Sequence, residues 1–316
     1  MLSRSNSAIE TPGPILDQFE ALETCLRSLR GQSVTALFNR GNRGDGLIHL
    51  GGIRLFAKLG LQVREVREVE LRQKPNLQGD VLLVFANGAF CSATHSLLAG
   101  IQEVMAGFQR TIFLPGTYEM KCKPVSKFLR ELDDRHTLFC RERVSFDSLL
   151  AAGLRAHVHL AHDLAFLVDL GAWSNRRHDG TAGLYRKDKE MVIRARLKFR
   201  NECDASAGND QDVEGLLSYV SRFSSIHTDR THGAISAAMM RRNVTLYGNS
   251  YFKNRAIFEH SLRHYENVKW GESGTIVPRR CLWRLYQIYF RDLEMKIRKA
   301  GQLFGKALRG ESLRFK

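Results

Sequence analysis

Short apolar runs that each end in polar or turn residues alternate with helical segments through the first half of the sequence. Residues 81–86 form a continuous apolar run followed by Asn87 and Gly88. Such a run is typical of a strand buried on both faces of a parallel sheet. Three further strands are predicted in the same way, at residues 111–114, 137–140 and 158–161. The alternation predicts an α/β fold with a site along the carboxyl ends of its strands.

Residues 226–253 repeat this pattern and contain the densest set of candidate site residues. A strand-like start is followed by Asp229, Arg230 and His232, then by a helical segment of small residues and a second strand-like run. At the carboxyl end of a parallel strand, Arg230 and His232 would lie beside the amides of a helix N-terminus, which suits a phosphorylated or carboxylated substrate. The structural alternative is that Asp229 caps the helix and pairs with Arg230, while His232 is a satisfied core or surface histidine.

The composition limits the class of protein. A length of 316 residues with 43% hydrophobic content is sufficient for two domains with cores. The six cysteines contain no CxxC pair, which argues against a zinc site and a disulfide framework and favours a reducing cytoplasm. The N-terminus lacks an apolar core of the signal-peptide type, and no apolar run is long enough to span a bilayer. We therefore expect a cytoplasmic protein.

The formal charge of +15 is concentrated at the C-terminus. Residues 279–316 contain eleven Lys or Arg against three acidic residues, a net charge of +8. Apolar residues recur there at three- and four-residue steps, which predicts a basic amphipathic helix. Such a helix can dock on the protein itself, lie on an anionic membrane or contact nucleic acid. We do not expect a nucleic-acid partner, because no helix-turn-helix, zinc or aromatic RNA-binding signature accompanies the charge.

Residues 39–46 form a glycine-rich loop between a predicted strand and a predicted helix. The loop lacks the Gly-Lys-Ser/Thr ending of a P-loop, and its glycines do not follow GxGxxG spacing. It binds an acceptor or, alternatively, forms a tight turn in which Asp45 caps the helix. A change to Gly, Asn, His and Arg around residues 170–183 predicts a linker. The predicted organisation is an arm and helix (1–31), two Rossmann-like domains (32–175 and 176–278) and the basic helix (279–316).

Seven segments resemble the polysaccharide pyruvyl transferase family over about residues 39–253. They are Gly-Asn-x-Gly-Asp (41–45), Leu-Pro (114–115), Arg-Glu-x-x-Ser (141–145), His-Asp-Leu-Ala-Phe (162–166), Arg-Lys-Asp-Lys-Glu (186–190), Thr-Asp-Arg-x-His-Gly (228–233) and Asn-Ser-Tyr with Lys253 (249–253). The resemblance implies two Rossmann-like domains similar to a GT-B glycosyltransferase, with a short second domain. It also implies transfer of pyruvate from phosphoenolpyruvate to a sugar of an exopolysaccharide as a ketal.

The resemblance also suggests roles for individual residues. Arg186 and Arg230 are the candidate clamps for the donor carboxylate and phosphate, and His232 is the candidate general acid/base. The remaining candidates bind substrate: Lys253 the phosphate, Asp45 and Asp163 the sugar hydroxyls, and Asn42 and Asn249 at matching motif positions. No metal or other cofactor is expected, since the arginines supply the positive charge.

The expected partners are phosphoenolpyruvate and a saccharide acceptor. Because exopolysaccharide units are commonly built on lipid carriers, a lipid-linked acceptor and peripheral contact with the inner face of an anionic membrane are further hypotheses. Three alternatives stay open at this point: a GT-B glycosyltransferase that uses a nucleotide sugar, a nucleic-acid-binding protein, and a non-catalytic relative of the family.

Overall fold

A computed structural model describes residues 19–70, 77–91, 96–188 and 201–272 of the chain. These residues form two sheets, and both belong to one compact unit, formed by residues 1–192 and 198–271. The other unit, residues 193–197 and 272–316, lies outside the described residues except for Glu272. The predicted basic helix at 279–316 and the first 18 residues of the predicted N-terminal arm therefore also lie outside them.

The first part of the chain forms a six-stranded parallel sheet with strand order β2-β1-β3-β4-β5-β6. Its helices and strands are, in chain order, α1 (Glu20–Arg27), β1 (Val34–Phe38), α2 (Arg43–Lys58), β2 (Val63–Arg67), β3 (Gly79–Asn87), α3 (Ser96–Met105), β4 (Phe108–Gly116), α4 (Lys123–Glu131), β5 (His136–Cys140), α5 (Arg143–Ala151) and β6 (His157–Leu160). Short 3-10 helices lie after β2 (Glu68–Glu70), after β3 (Ala89–Cys91) and after β6 (Leu164–Leu167). The predicted parallel α/β sheet is confirmed.

The second part forms a smaller parallel sheet of four strands in the order β10-β9-β8-β7. Its helices and strands are α6 (Gly171–Ser174), β7 (Thr181–Leu184), α7 (Val213–Ser221), β8 (Ser225–Thr228), α8 (Thr231–Met239), β9 (Asn243–Leu246), α9 (Lys253–His260), a 3-10 turn at Leu262–His264 and β10 (Val268–Trp270). The stretch predicted as a linker contains α6 and the start of β7, and the domain limits given above stay predictions.

The continuous apolar run in β3 is explained by burial on both faces of the large sheet. Leu82, Val84 and Ala86 pack into one hydrophobic cluster, whereas Val81, Leu83 and Phe85 pack into another on the opposite face. The cluster that contains Val81, Leu83 and Phe85 extends beyond the six-stranded sheet and also includes residues of α7, α8 and the four-stranded sheet. One core therefore joins the two sheets within the compact unit.

Helix α2 packs closely against the segment that follows β7. A Cβ atom added at Gly46 would lie 2.1 Å from the carbonyl oxygen of Asp210, so only glycine permits this approach. Arg43 bonds to the carboxylate of Asp212 and donates to the carbonyl oxygen of Ala205 at 3.1 Å. Asp210 also contacts His49 Nδ1 at 3.3 Å. These contacts hold residues 204–212, which we call the bridging loop, against α2.

Candidate active site

A cavity of about 160 Å³ lies where the carboxyl ends of both sheets meet. Residues that follow β1, β3 and β5 line one side, and residues that follow β7 and β8, together with the bridging loop and the start of α9, line the other. The lining residues are Asn39, Arg40, Asn42, Asp45, Gly88, Ala89, Arg141, Arg186, Ser206, Arg230, Thr231, His232, Tyr251 and Lys253. This is the strand edge at which ligands bind in open parallel sheets.

Six of the eight residues predicted as site residues line this cavity: Asn42, Asp45, Arg186, Arg230, His232 and Lys253. Asp163 is fully buried and lies 3.4 Å from His232 Nε2. Asn249 is buried, and neither its amide oxygen nor its amide nitrogen has a hydrogen-bond partner among the described residues. The structure thus brings seven of the eight together, and their roles in binding and catalysis stay predictions.

Arg230 is the residue immediately before α8, and its guanidinium is held by carboxylates. Nε and Nη2 donate to the two carboxylate oxygens of Asp204 at 3.0 and 2.6 Å, and Nη2 also lies 3.0 Å from Asp188. The side chain is 8% exposed. A guanidinium fixed in this way loses little further rotamer freedom on binding an anion.

Arg186 follows β7 and is tied to the end of β8. Its backbone N–H donates to Asp229 Oδ1 at 2.8 Å, and its guanidinium bonds to Asp188 at 2.9 and 3.0 Å. Asp229 therefore links the ends of β7 and β8. The structural alternative had instead predicted that Asp229 pairs with Arg230. The spacing of the charges in residues 186–190 is also compatible with a solvated helix face on which Arg186 pairs with Glu190. Arg186 is 6% exposed and so is not solvated, and Glu190 lies outside the described residues.

Lys253 begins α9 and lines the same cavity as the two arginines. Its Nζ atom lies 4.9 Å from the centre of the Tyr251 ring, which also lines the cavity. A cation over an aromatic face is attracted by the negative face of the ring. Tyr251 therefore helps to fix the position of the ammonium group.

His232 lies in the first turn of α8 beside a fully buried ion pair. Asp163 accepts from Arg141 Nη1 at 2.8 Å and from the backbone N–H of Ala165 at 2.9 Å. Burial acts to raise the pKa of Asp163, but the charge of Arg141, followed by that of His232, outweighs it and lowers the pKa well below its usual range. Asp163 is thus a carboxylate in the folded protein, and Arg141 balances its charge.

The start of α2 closes over His232. A Cβ atom added at Gly44 would lie 2.4 Å from Nδ1 of His232, so glycine is required for this arrangement. Asn42 and Asp45 form a capping box: Asn42 Oδ1 accepts from Gly44 N at 2.7 Å, and Asp45 Oδ2 accepts from Asn42 N at 2.9 Å. The alternative in which Asp45 serves helix capping is therefore observed, although both side chains also line the cavity.

Sequence reasoning did not select several cavity residues. Arg141 follows the buried strand β5, and an arginine at that position is a signal that could have been used. It is 2% exposed, and its Nε donates to Thr117 at 2.9 Å. Ser206 and its neighbour Asp204 lie in a stretch interpreted only as a polar loop. Nothing in the local pattern distinguishes these two from other loop residues.

Comparison with known proteins identifies the family. The model of the family described as "Polysaccharide pyruvyl transferase" matches residues 42–251, about two thirds of the chain. This chain belongs to the polysaccharide pyruvyl transferase family. The match extends from the N-cap of α2 to Tyr251 and contains eleven of the fourteen residues that line the cavity; Asn39, Arg40 and Lys253 lie outside it. Membership supports a transferase that acts in polysaccharide synthesis.

Two individual proteins are similar to this chain. The chain is 23% identical to the "Putative pyruvyl transferase EpsO" of Bacillus subtilis (strain 168), over 69% of this chain and 81% of that protein. Its fold is similar to the crystal structure of an uncharacterised protein from Klebsiella pneumoniae, with a TM-score of 0.67 and 21% identity. That match covers 82% of this chain and 100% of the other, and it shows a shared fold.

Within the described ranges, no group of three or more His, Cys, Asp or Glu side chains is placed to hold a metal ion. None of the helices there is long and apolar enough to cross a membrane. The expectation that no metal or cofactor is needed stays a prediction.

Proposed function

We propose that this protein transfers pyruvate from phosphoenolpyruvate to a sugar of an exopolysaccharide repeat unit, as a ketal. The observation that carries the proposal is the convergence of Arg141, Arg186, Arg230, Lys253 and His232 on one small cavity. Phosphoenolpyruvate is a small anion with a carboxylate and a phosphate, and guanidinium groups bind both in bidentate geometry. Membership of the pyruvyl transferase family supports the same assignment.

The donor is bound by the second part of the chain in this proposal. Arg186 and Arg230 clamp the carboxylate and phosphate, Lys253 contacts the phosphate, and the amides at the start of α8 add positive potential. Asp188 and Asp204 hold the two guanidinium groups in place, which lowers the entropy cost of binding. Positive charge from these side chains replaces the metal ion that many phosphoryl-transfer enzymes use, so no cofactor is required.

The reaction needs two proton transfers for which His232 is the proposed acid/base. A first sugar hydroxyl adds to C2 of the donor while a proton is delivered to C3, converting the methylene into a methyl group. A second hydroxyl then displaces the phosphate from C2, which closes the ketal, and its proton leaves with the phosphate. Histidine can accept and return a proton near neutral pH.

The acceptor sugar is expected on the side of the cavity lined by the first part of the chain. Asn42 and Asp45 are candidates there, together with Asn249 from the second part. We also propose that the two sheets correspond to the two Rossmann-like domains of a GT-B glycosyltransferase, with a short second domain. The proposed location is the cytoplasm, with a lipid-linked acceptor and peripheral contact at the inner face of the membrane through residues 279–316.

Calorimetric titration with phosphoenolpyruvate and with a panel of nucleotide sugars tests the donor. We expect saturable binding of phosphoenolpyruvate that is lost in Arg230→Ala. Arg67→Ala is the matched control, because Arg67 also pairs with a carboxylate, Asp210, at 2.9 Å, but does not line the cavity. Binding of a nucleotide sugar in place of phosphoenolpyruvate would identify the protein as a glycosyltransferase and refute the proposal.

A further inference from the structure

The two ring nitrogens of His232 have different surroundings. Nε2 is buried and lies 3.4 Å from Oδ2 of Asp163, whereas Nδ1 points toward Gly44 at the start of α2. The side chain as a whole is 14% exposed and lines the cavity, while Asp163 is fully buried. Only one nitrogen of His232 can therefore be shared with the carboxylate, and Nδ1, which lies beside Gly44, is the nitrogen left for a substrate in the cavity that the side chain lines.

We infer that Asp163 keeps a proton on Nε2 of His232, so that Nδ1 is the nitrogen that exchanges protons with the substrate. Asp163 is then a positioning residue and not a ligand of the sugar hydroxyls, and Arg141 holds Asp163 in place. This inference rests on the proposed acid/base role of His232.

The opposite tautomer is disfavoured by the contacts. It would place the lone pair of Nε2 against a carboxylate oxygen in a region without access to water, with two acceptors facing each other and no hydrogen between them. With the proton on Nε2, the same contact becomes a charge-assisted hydrogen bond. Contacts between catalytic groups are often long before the substrate binds and shorten in the complex, so 3.4 Å is compatible with this role.

The arrangement defines a balanced proton path. The protonated imidazole carries hydrogen on both nitrogens, is stabilised by the negative charge of Asp163, and gives its Nδ1 proton to C3 of the donor. The electron pair of the C2–C3 double bond forms the new C–H bond, and C2 becomes electron-deficient. As the hydroxyl oxygen then forms its bond to C2, the hydroxyl proton passes to the lone pair of Nδ1, and the protonated imidazole is restored with its hydrogen still on Nε2.

The position of Arg141 explains why a buried carboxylate is retained beside the histidine. Asp163 is fully buried, so an unpaired negative charge there would be strongly destabilising. Arg141 Nη1 donates to Asp163 at 2.8 Å, and the backbone N–H of Ala165 donates to Asp163 at 2.9 Å. Arg141 bonds to Oδ2, the oxygen that also lies 3.4 Å from His232 Nε2, while Ala165 binds Oδ1, so both oxygens of the carboxylate are held in place.

Nitrogen-15 NMR of the histidine side chains tests the tautomer directly. The spectrum is recorded on the full chain at alkaline pH, where imidazole is neutral, and the His232 signals are assigned by their loss in His232→Gln. We expect a protonated Nε2 and an unprotonated Nδ1. A protonated Nδ1 would overturn the inference, and because no substrate is present, this result does not depend on the identity of the donor.

The substitution Asp163→Asn tests, by its effect on turnover, whether Asp163 positions His232. We expect kcat to fall roughly 100- to 10,000-fold, as when a triad aspartate is replaced by asparagine, while the dissociation constant for phosphoenolpyruvate changes little. Glu142→Gln is the matched control, because Glu142 is equally buried and neighbours Arg141 but bonds to Ser145 at the start of α5.

Melting temperatures and donor affinities of both variants separate the possible roles. Equal losses of kcat in Asp163→Asn and Glu142→Gln, in proportion to lost stability, would show that Asp163 is only structural and would overturn the inference. If Asp163→Asn does not fold, the NMR measurement on the unmodified protein decides alone. Failure of the unmodified protein to bind phosphoenolpyruvate would refute the proposed donor and leave the tautomer result standing.

Discussion

The buried side chain of His162 is expected to make the free energy of unfolding decrease in mild acid. The side chain is 1% exposed; its Nδ1 lies 2.7 Å from Ser261 Oγ, and its ring stacks on His260 with 4.4 Å between centroids. Burial, followed by the proximity of His260, lowers the pKa of His162 from 6.5 to about 3. The folded protein thus keeps this histidine neutral, whereas the unfolded chain protonates it under weakly acidic conditions.

The sign and size of the effect follow from the two pKa values. Between pH 6.5 and about 3 the unfolded chain binds a proton that the folded protein does not, so the free energy of unfolding decreases as the pH falls. Going from about pH 7.5 to about pH 5, this one group should remove about 2 kcal/mol. Above about pH 7.5 both states are almost entirely neutral at this position, and the contribution is nearly constant.

Urea unfolding at the two pH values measures the effect in three proteins. His162→Gln removes the titrating group, while His157→Gln removes an exposed histidine at the start of β6. We expect the loss of unfolding free energy between the two pH values to be about 2 kcal/mol smaller in His162→Gln than in the unmodified protein, and unchanged in His157→Gln. Carboxylates and the histidines that do not contact the substituted residues titrate in all three and cancel, whereas His260, which stacks on His162, also responds to the loss of that ring. An equal loss in all three proteins would refute the reasoning.

Four further predictions concern function. Arg230→Ala and His232→Ala should each remove most turnover, but only the arginine change should greatly weaken donor binding in calorimetry; near-normal turnover in His232→Ala would exclude its catalytic role. Gly44→Ala should lower turnover because the added methyl group meets Nδ1 of His232, whereas Gly100→Ala in α3, which meets nothing within 4 Å, should be neutral in the same assay. Deletion of residues 291–316 should reduce sedimentation with anionic vesicles; an insoluble product would instead indicate docking on the protein's own surface. Activity should survive chelator treatment, and recovery only after addition of a divalent ion would contradict the absence of a cofactor.

Local pattern was sufficient to predict the sheet and one wall of the site. The apolar run of β3 is buried on both faces, and its six residues divide alternately between two clusters, so periodicity and burial agree there. Arg230 and His232 could likewise be assigned to a strand end and a helix start, because strand, loop and helix signals occur within a few residues of one another. The resemblance of short motifs to one family added the candidate roles.

The sequence could not predict the surroundings of those residues. Asp163 was selected for contact with sugar hydroxyls, yet folding buries it between Arg141 and His232, which come from different strand ends. Asp204 and Ser206 belong to a loop without a recognisable pattern, and only the packing of that loop against α2 brings Ser206 to the cavity and Asp204 to Arg230. Periodicity and turn residues determine local structure because they act within one turn of helix or one strand. Contacts across two sheets depend on how the joined core packs, and this is decided only in the tertiary structure.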